Sequence, residues 1–303
     1  MTTPQQQPPT PSPALNRYGR IGIWSSILRS DDTSRRGELA DAAAELDELG
    51  YGTLWLGASP GVEQAARVLE STKRARVATG ILSIWQHEPA TVAAQTAEAN
   101  AAYDGRFTLG LGVSHAVLAD QYRRPYSAMV AYLDALDAAS PPVAPADRVL
   151  AALGPRMLEL ARDRAAGAHP YLVTPEHTAT ARTTLGADAV LAPELKVVLD
   201  PDIPRARSTA RAYLSHYLAL PNYTSSLTRL GFTEADYEAG GSDVLIDAVF
   251  ALGSAEAIRA RADEFLAAGA DHLAVQVVTA RTGEDLPREE WRRLAEALPL
   301  TTA

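Results

Sequence analysis

The 303-residue chain contains no cysteine, which excludes disulfide bonds, thiolate zinc sites and cysteine nucleophiles. It also has no run of 18 apolar residues, so no segment is predicted to span a membrane. Basic residues are scattered, and the net charge of −9 argues against a nucleic-acid-binding surface. We therefore expect a soluble, cytoplasmic protein without a nucleic-acid or membrane partner.

The sequence also lacks the common catalytic signatures. It contains no G-x-S-x-G elbow, no H-E-x-x-H motif, no phosphate-binding P-loop and no EF-hand pattern, and no metal site is predicted. No pair of carboxylates follows a predicted strand, which argues against a glycosidase. These absences favour a reaction carried by an organic cofactor and a small-molecule substrate.

What the chain does contain is an alternation of short apolar runs and amphipathic helical runs. Residues 1–17 are rich in proline, glutamine and threonine and are predicted to be a disordered leader. Residues 18–303 then give about eight strand–helix units, which predicts one α/β domain, a (β/α)8 TIM barrel. A doubly wound open sheet is the competing architecture, but it needs a glycine-rich turn after the first strand, and the sequence IGIWSS at 21–26 has none.

The predicted strands are 20–24, 53–57, 76–82, 107–113, 148–153, 169–173, 194–199 and 272–278. A helical insertion is predicted at about 203–252, before the last strand. It carries several tyrosines at helical spacing, which are either core residues or the lining of a lid over a substrate pocket. The apolar faces of the outer helices would also support a homodimer.

Small residues stand where several of these strands end. Gly80 ends the third strand, and Gly112 and Ser114 end the fourth, just before His115. Ligands of parallel barrels bind at the carboxyl ends of the strands, so these positions are candidate ligand contacts. His115 is a candidate proton donor or acceptor, because an unperturbed histidine titrates near neutral pH.

A glycine also links the fifth strand to the next helix. The sequence is Gly154-Pro155-Arg156-Met157, and the backbone N–H groups at the start of that helix could hold a phosphate. The same four residues are equally typical of a tight strand–helix turn with proline in its first position.

Three stretches of the chain, VATGILSIWQHEP, GRFTLGLGVSHA and LAALGPRMLELARDRAAGAHPYLVTPEH, resemble the bacterial luciferase-like superfamily. More narrowly, they resemble its actinobacterial branch of coenzyme F420-dependent (deazaflavin) oxidoreductases. The resemblance implies a luciferase-like TIM barrel with insertions and a flavin-like ring across the strand ends. It also implies a non-prolyl cis peptide at Gly80–Ile81, next to that ring. The implied phosphate contacts are Gly154, Pro155, Arg156, Met157, Gly167, Ala168 and His169.

The chain departs from this branch at two positions. Related deazaflavin dehydrogenases carry an acid at the end of strand two, where this chain has Leu56-Gly57-Ala58-Ser59, and a glutamate where His115 stands. Trp24 and His115 are therefore the candidate catalytic residues. The function implied is hydride transfer between F420 and a small organic substrate. The alternatives are an FMN-dependent monooxygenase of the same family and a non-catalytic flavin-binding protein.

Overall fold

The computed structural model describes residues 17–114, 123–281 and 285–300. Its strands are β1 (Ile21–Ser25), β2 (Thr53–Leu56), β3 (Arg76–Thr79), β4 (Leu82–Ser83), β5 (Phe107–Gly112), β6 (Arg148–Leu150), β7 (Gly167–Ala168), β8 (Val190–Leu191), β9 (Glu194–Val198), β10 (Phe250–Leu252) and β11 (Leu273–Val277). Its α-helices are α1 (Arg36–Glu48), α2 (Val62–Glu70), α3 (Pro89–Ala102), α4 (Pro125–Ala138), α5 (Pro155–Arg164), α6 (Pro175–Leu185), α7 (Ile203–Leu218), α8 (Pro221–Arg229), α9 (Asp243–Val249), α10 (Ala255–Ala267) and α11 (Arg288–Ala297).

The strands close into a parallel barrel. β1 pairs with β2 on one side and with β11 on the other, and the order continues through β3, β5, β6, β7 and β8. β8 and β9 are separated only by Ala192 and Pro193, and together they close the ring, because β8 pairs with β7 while β9 pairs with β11. The predicted TIM-barrel fold is confirmed. β10 is an additional short strand that pairs with β9.

One predicted strand is misplaced. The sixth strand was expected at 169–173, whereas the structure has it at Gly167–Ala168. Gly167 lies so close to the next strand that a Cβ atom there would be 1.9 Å from the Val190 carbonyl oxygen. Because the two backbones approach so closely here, the strand pairs with β8 at Gly167 and Ala168. The same close approach starts the next strand at Val190, four residues before the predicted 194.

The third strand, predicted as continuous over 76–82, is interrupted at Gly80 and Ile81. β3 stops at Thr79, the chain passes through Gly80 and Ile81, and β4 resumes alongside β5. The Thr79 hydroxyl bridges the break, since it donates to the Gly110 carbonyl and accepts from the Gly110 N–H, both at 2.8 Å. The backbone at residues 80 and 81 is thereby free to leave the sheet and face the barrel mouth.

A column of aromatic rings fills the barrel interior. Tyr18 stacks on Trp55 with ring centroids 6.3 Å apart, and Trp55 stacks on His169 at 4.2 Å. The Trp55 indole donates to Nε2 of His272 at 3.0 Å, and Nδ1 of His272 lies 2.8 Å from the Gly19 carbonyl oxygen. Burial lowers the pKa of both histidines to about 4, so both rings are neutral at pH 7.

Helices α7, α8 and α9 pack over the mouth of the barrel. Leu214, Leu227 and Ile246 anchor them in an apolar cluster that is separate from the main core and includes Phe250 of β10. None of the helices in the described ranges combines the length and apolar character that crossing a membrane requires.

The buried histidines predict a pH-dependent stability. Their pKa is about 6.5 in the unfolded chain and about 4 in the fold, so the unfolded state binds more protons between these values. The free energy of unfolding should therefore fall as the pH is lowered from 6.5 to 4.5, by about 2 kcal/mol for each histidine. Urea titrations at several pH values measure this slope.

His272→Gln keeps an acceptor for Trp55 and a donor for Gly19 and should flatten the slope, whereas the exposed His216→Gln should leave it unchanged. If the free energy of unfolding of His272→Gln had the same pH dependence as that of the unaltered chain, the lowered pKa of His272 would be contradicted.

Candidate active site

A cavity of about 1320 Å³ opens at the carboxyl ends of the barrel strands. Its floor and one wall come from residues at the ends of β1, β3, β5, β6 and β11, and its other wall comes from helices α7 and α8. This is the face of a TIM barrel at which ligands bind. Across residues 17–114, 123–281 and 285–300, no group of three or more His, Asp or Glu side chains is arranged to hold a metal ion.

A ledge of backbone projects into this cavity at Gly80 and Ile81. The peptide bond between them is cis, as the family resemblance predicted. The Ile81 side chain lies against Gly112, where a Cβ atom would come within 2.5 Å of its Cγ1 and Cδ1 carbons. We call Gly80, Ile81 and Gly112 the shelf. All three line the cavity, and the absence of side chains on the two glycines leaves a flat surface.

Trp24 holds the shelf from below. Its indole N–H donates to the Gly80 carbonyl oxygen at 3.0 Å. The ring fits there because residue 57 is glycine, where a Cβ atom would lie 2.2 Å from two carbons of the indole. An indole has a single N–H and no acceptor, so this hydrogen bond leaves it no polar group for proton transfer. Trp24 thus contacts the shelf through its N–H, and the catalytic role predicted for it from the sequence stays a prediction.

His169 lies beneath the shelf. Its Nδ1 is 2.7 Å from the Ala192 carbonyl oxygen, and since a carbonyl can only accept, this nitrogen carries the proton. Its Nε2 is buried, is left as a bare acceptor and has no hydrogen-bond partner among the described residues. His169 lines the cavity, and the phosphate contact that the resemblance implied for it stays a prediction.

The other predicted phosphate residues separate into two groups. Gly154 and Met157 line the cavity, where Gly154 precedes the first turn of α5. Pro155 and Arg156 are exposed and do not line it, and the Arg156 guanidinium lies 4.1 Å from the Tyr126 ring centroid. Gly167 and Ala168 are buried in strand β7, away from the cavity.

Arg229 is a cavity residue that the sequence analysis missed. It lies at the end of α8, is exposed and makes no ion pair with another described residue. Its charge contributes to lowering the pKa of His177, after the larger effect of burial, and His177 Nε2 lies 3.1 Å from the Leu153 carbonyl oxygen. Arg229 therefore brings a positive charge to the loop at Leu153 and Gly154.

Four side chains form a closed ring of hydrogen bonds between helix α7 and the barrel strands. Tyr171 donates to Oε1 of Gln276 at 2.8 Å, and Nε2 of Gln276 donates to Tyr213 at 2.5 Å. The hydroxyls of Tyr213 and Tyr217 are 2.8 Å apart, and those of Tyr217 and Tyr171 are 2.9 Å apart. We call these four residues the hydroxyl ring. Tyr213 stacks on Tyr217, Tyr171 is tilted against Tyr217, and the rings of Tyr171 and Trp24 lie 5.3 Å apart at their centroids.

A buried ion pair supports this ring. Lys196, one of only two lysines in the chain, donates to Glu194 at 2.7 Å, and its Nζ lies 3.6 Å from the Tyr171 ring centroid. Burial lowers the pKa of Lys196 to about 8, so the ammonium is charged at pH 7. Two charges two residues apart in the apolar run ELKVVL were the available sequence signal, since residues i and i+2 of a strand share a face.

Ser114 lines the cavity in a left-handed conformation, and its carbonyl accepts from the Asn222 side chain at 3.3 Å. His115, the predicted proton donor or acceptor, lies outside the described residues, and its role stays a prediction. The tyrosines Tyr213, Tyr217, Tyr223 and Tyr237 of the insertion all pack in the apolar cluster, and the first three also line the cavity.

Comparison with known proteins identifies the family of this chain. Residues 20–272 match the family described as luciferase-like monooxygenase. Over 82 residues the chain is 35% identical to 4-hydroxyprotoasukamycin monooxygenase of Streptomyces nodosus subsp. asukaensis, a match that covers 24% of this chain and 22% of that protein.

Many solved structures share the fold, including the following two. An F420-dependent secondary alcohol dehydrogenase, in complex with an F420–acetone adduct, aligns with a TM-score of 0.71 at 13% identity, over 94% of this chain and 99% of its own. The oxygenating constituent of 3,6-diketocamphane monooxygenase from Pseudomonas putida, in complex with FMN, aligns with a TM-score of 0.66 at 14% identity, over 93% of this chain and 97% of its own. Because the family match spans most of the barrel, the chain belongs to the luciferase-like monooxygenase family.

Proposed function

We propose that this chain is a coenzyme F420-dependent oxidoreductase that transfers a hydride between the deazaflavin and a small organic substrate. The shelf is the observation that supports this most directly. A planar ring needs a flat apolar surface within the barrel mouth, and Gly80, Ile81 and Gly112 provide one. The deazaflavin, when bound, supplies a central ring carbon that gives or accepts the hydride.

The residues around the shelf have separable roles in this proposal. Trp24 fixes the position of the Gly80 backbone through its hydrogen bond to the Gly80 carbonyl oxygen. His169 offers a buried acceptor next to Gly80, where a Cβ atom would be 3.4 Å from its Nε2. His115 is assigned the proton that accompanies the hydride. Tyr171 and Tyr217 form an aromatic wall that keeps water from the ring face.

The cofactor phosphate is assigned to the end of the cavity near Gly154. The start of helix α5 contributes backbone N–H groups and the positive end of its dipole. Arg229 adds a full positive charge from α8 on the other side. A guanidinium and a helix start that face the same cavity are a suitable site for a phosphate dianion.

An FMN-dependent monooxygenase is the second candidate. The 35% match to a monooxygenase favours it, as does the aromatic wall, which suits a reaction that must exclude water. Both candidates use the shelf and the phosphate position in the same way. They differ in the ring that the shelf prefers, so binding measurements separate them.

The first prediction from this proposal concerns the choice of cofactor. We expect F420 to quench the tryptophan fluorescence of the purified chain with a dissociation constant at least about tenfold lower than that of FMN, a difference of about 1.4 kcal/mol. Titrations of the same preparation with each cofactor measure both constants. Tight binding of FMN alone would contradict the F420 proposal and favour the monooxygenase.

The second prediction tests the shelf. Gly112→Ala places a Cβ atom where the Ile81 side chain now lies, so Ile81 must turn over the shelf. We expect affinity for the preferred cofactor to fall about tenfold, since a misfit of this kind costs about 1–3 kcal/mol. Gly37→Ala, at the start of α1 with no atom within 4 Å of the added carbon, is the matched control. Unchanged cofactor affinity in a folded Gly112→Ala protein would contradict the proposed placement of the cofactor ring on the shelf.

The third prediction tests the phosphate position. Arg229→Gln should weaken FMN or F420 binding about tenfold, because a charge-assisted hydrogen bond contributes about 1.5–3 kcal/mol. Binding of riboflavin, which has no phosphate, should not change. Arg207→Gln is the control, since Arg207 lies on the same insertion but pairs with Asp243 and Asp247. An equal loss for riboflavin and FMN would show that Arg229 does not bind the phosphate.

A further inference from the structure

The cavity has more room than one cofactor needs. Pockets for a single ligand of drug size typically measure about 300–1,000 Å³, whereas this cavity measures about 1320 Å³. The shelf and Gly154 lie at the ends of β3, β5 and β6, whereas the hydroxyl ring joins Gln276 of β11 and Tyr171 to helix α7. The space next to the hydroxyl ring is therefore available to a second molecule.

The Gln276 amide sets the direction of proton donation at two bonds of the hydroxyl ring. Oε1 of Gln276 can only accept, so Tyr171 donates to it, and Nε2 of Gln276 can only donate, so Tyr213 receives from it. Since the Tyr171 proton is used, Tyr217 donates to Tyr171 or Tyr213, and Tyr213 donates to Tyr217 or to Tyr171, whose hydroxyl is 3.2 Å away. In each of these arrangements every phenol proton is used inside the ring. Tyr217 then always keeps at least one lone pair free to accept.

The ion pair under the ring favours donation from Tyr171 to Gln276. The Lys196 ammonium on the face of Tyr171 withdraws electron density from that ring, which makes its hydroxyl a better donor to Gln276. Hydrogen bonds that run in one direction strengthen one another, so the outer phenol oxygens become better acceptors. Glu194 holds the ammonium in place and also accepts from the Leu172 N–H at 3.2 Å. Both charges are almost completely buried, so neither is available to a ligand.

Tyr213 and Tyr217 are only half-buried, and both line the cavity. Their ring faces, 5.2 Å apart at the centroids, and the neighbouring Tyr223 give an aromatic surface beside their hydroxyls. The wall is one contact from the shelf, because Trp24 touches both Tyr171 and Gly80. A ligand on this wall lies beside whatever occupies the shelf.

From this geometry we propose that the hydroxyl ring is the substrate-binding wall and that it selects flat aromatic molecules carrying a hydroxyl group. The substrate hydroxyl donates to a free lone pair of Tyr213 or Tyr217, while the aromatic part of the substrate stacks on the phenol rings. A carbonyl or ether oxygen has no proton to donate and is disfavoured, since the phenol protons are already used within the ring. This inference rests on the proposed function only in giving the bound molecule the role of substrate.

The test compares three probes of nearly equal shape on the chain without added cofactor: 1-naphthol, 1-methoxynaphthalene and naphthalene. Binding is followed by quenching of intrinsic fluorescence or by competition with a fluorescent naphthol. We expect 1-naphthol to bind about tenfold more tightly than either of the other two. Equal affinities for the three probes would overturn the inference.

Tyr217→Phe keeps the aromatic ring and removes the hydroxyl. It should reduce 1-naphthol affinity about tenfold and leave naphthalene affinity unchanged, and Tyr213→Phe is the second variant if the first is poorly folded. Tyr237→Phe is the matched control, because its hydroxyl bonds the Thr224 carbonyl and Thr228 outside the cavity lining. A folded Tyr217→Phe or Tyr213→Phe protein with undiminished preference for 1-naphthol would also overturn the inference.

The cofactor titrations are independent of this test. Loss of the expected F420 and FMN binding would contradict the proposed function while leaving the naphthol preference intact. Equal affinity for the three naphthalene probes would contradict only the substrate-binding wall.

Discussion

The hydrogen bond from the Trp24 indole to the Gly80 carbonyl connects the barrel interior to the cavity floor. It exists because Gly57 leaves room for the indole and because the strand is interrupted after Thr79. A larger residue at position 57 would displace the ring and, with it, the backbone at residues 80 and 81. The shape of the cavity floor thus depends on the lack of a side chain at Gly57 as much as on the indole of Trp24.

Polar groups inside the barrel are paired in ways that fix their protonation. The two interior histidines are neutral because burial disfavours their charged forms, and each donates one ring N–H to a backbone carbonyl. The Lys196–Glu194 pair is fully desolvated, and such pairs typically contribute little net stability. We interpret its role as positional, because the ammonium packs against the Tyr171 ring and orients the hydroxyl ring above it.

Much of the architecture followed from local sequence patterns. The eight strand–helix units and the cis peptide at Gly80–Ile81 were predicted from apolar runs, small residues and family resemblance. The short strand at 167–168 was misplaced because its position depends on a backbone contact with Val190, a residue 23 positions later. The predicted phosphate group was divided for a similar reason, since Gly167 and Ala168 are used in strand pairing, whereas Gly154 faces the cavity. Arg229 and the hydroxyl ring were missed because the residues involved are far apart in sequence.

The sequence by itself determined where strands and helices alternate, where small residues end the strands and which catalytic classes are excluded. These are local properties, set by periodicity, chain flexibility and the presence or absence of a side-chain group. Only the tertiary structure decided that Trp24 meets Gly57 and Gly80 and that Lys196 lies on Tyr171. It also decided that Gln276 joins Tyr171, 105 residues earlier, to Tyr213 of the insertion, 63 residues earlier. Those contacts depend on barrel closure and strand register, which arise from the pairing of the whole sheet and cannot be read from any single segment.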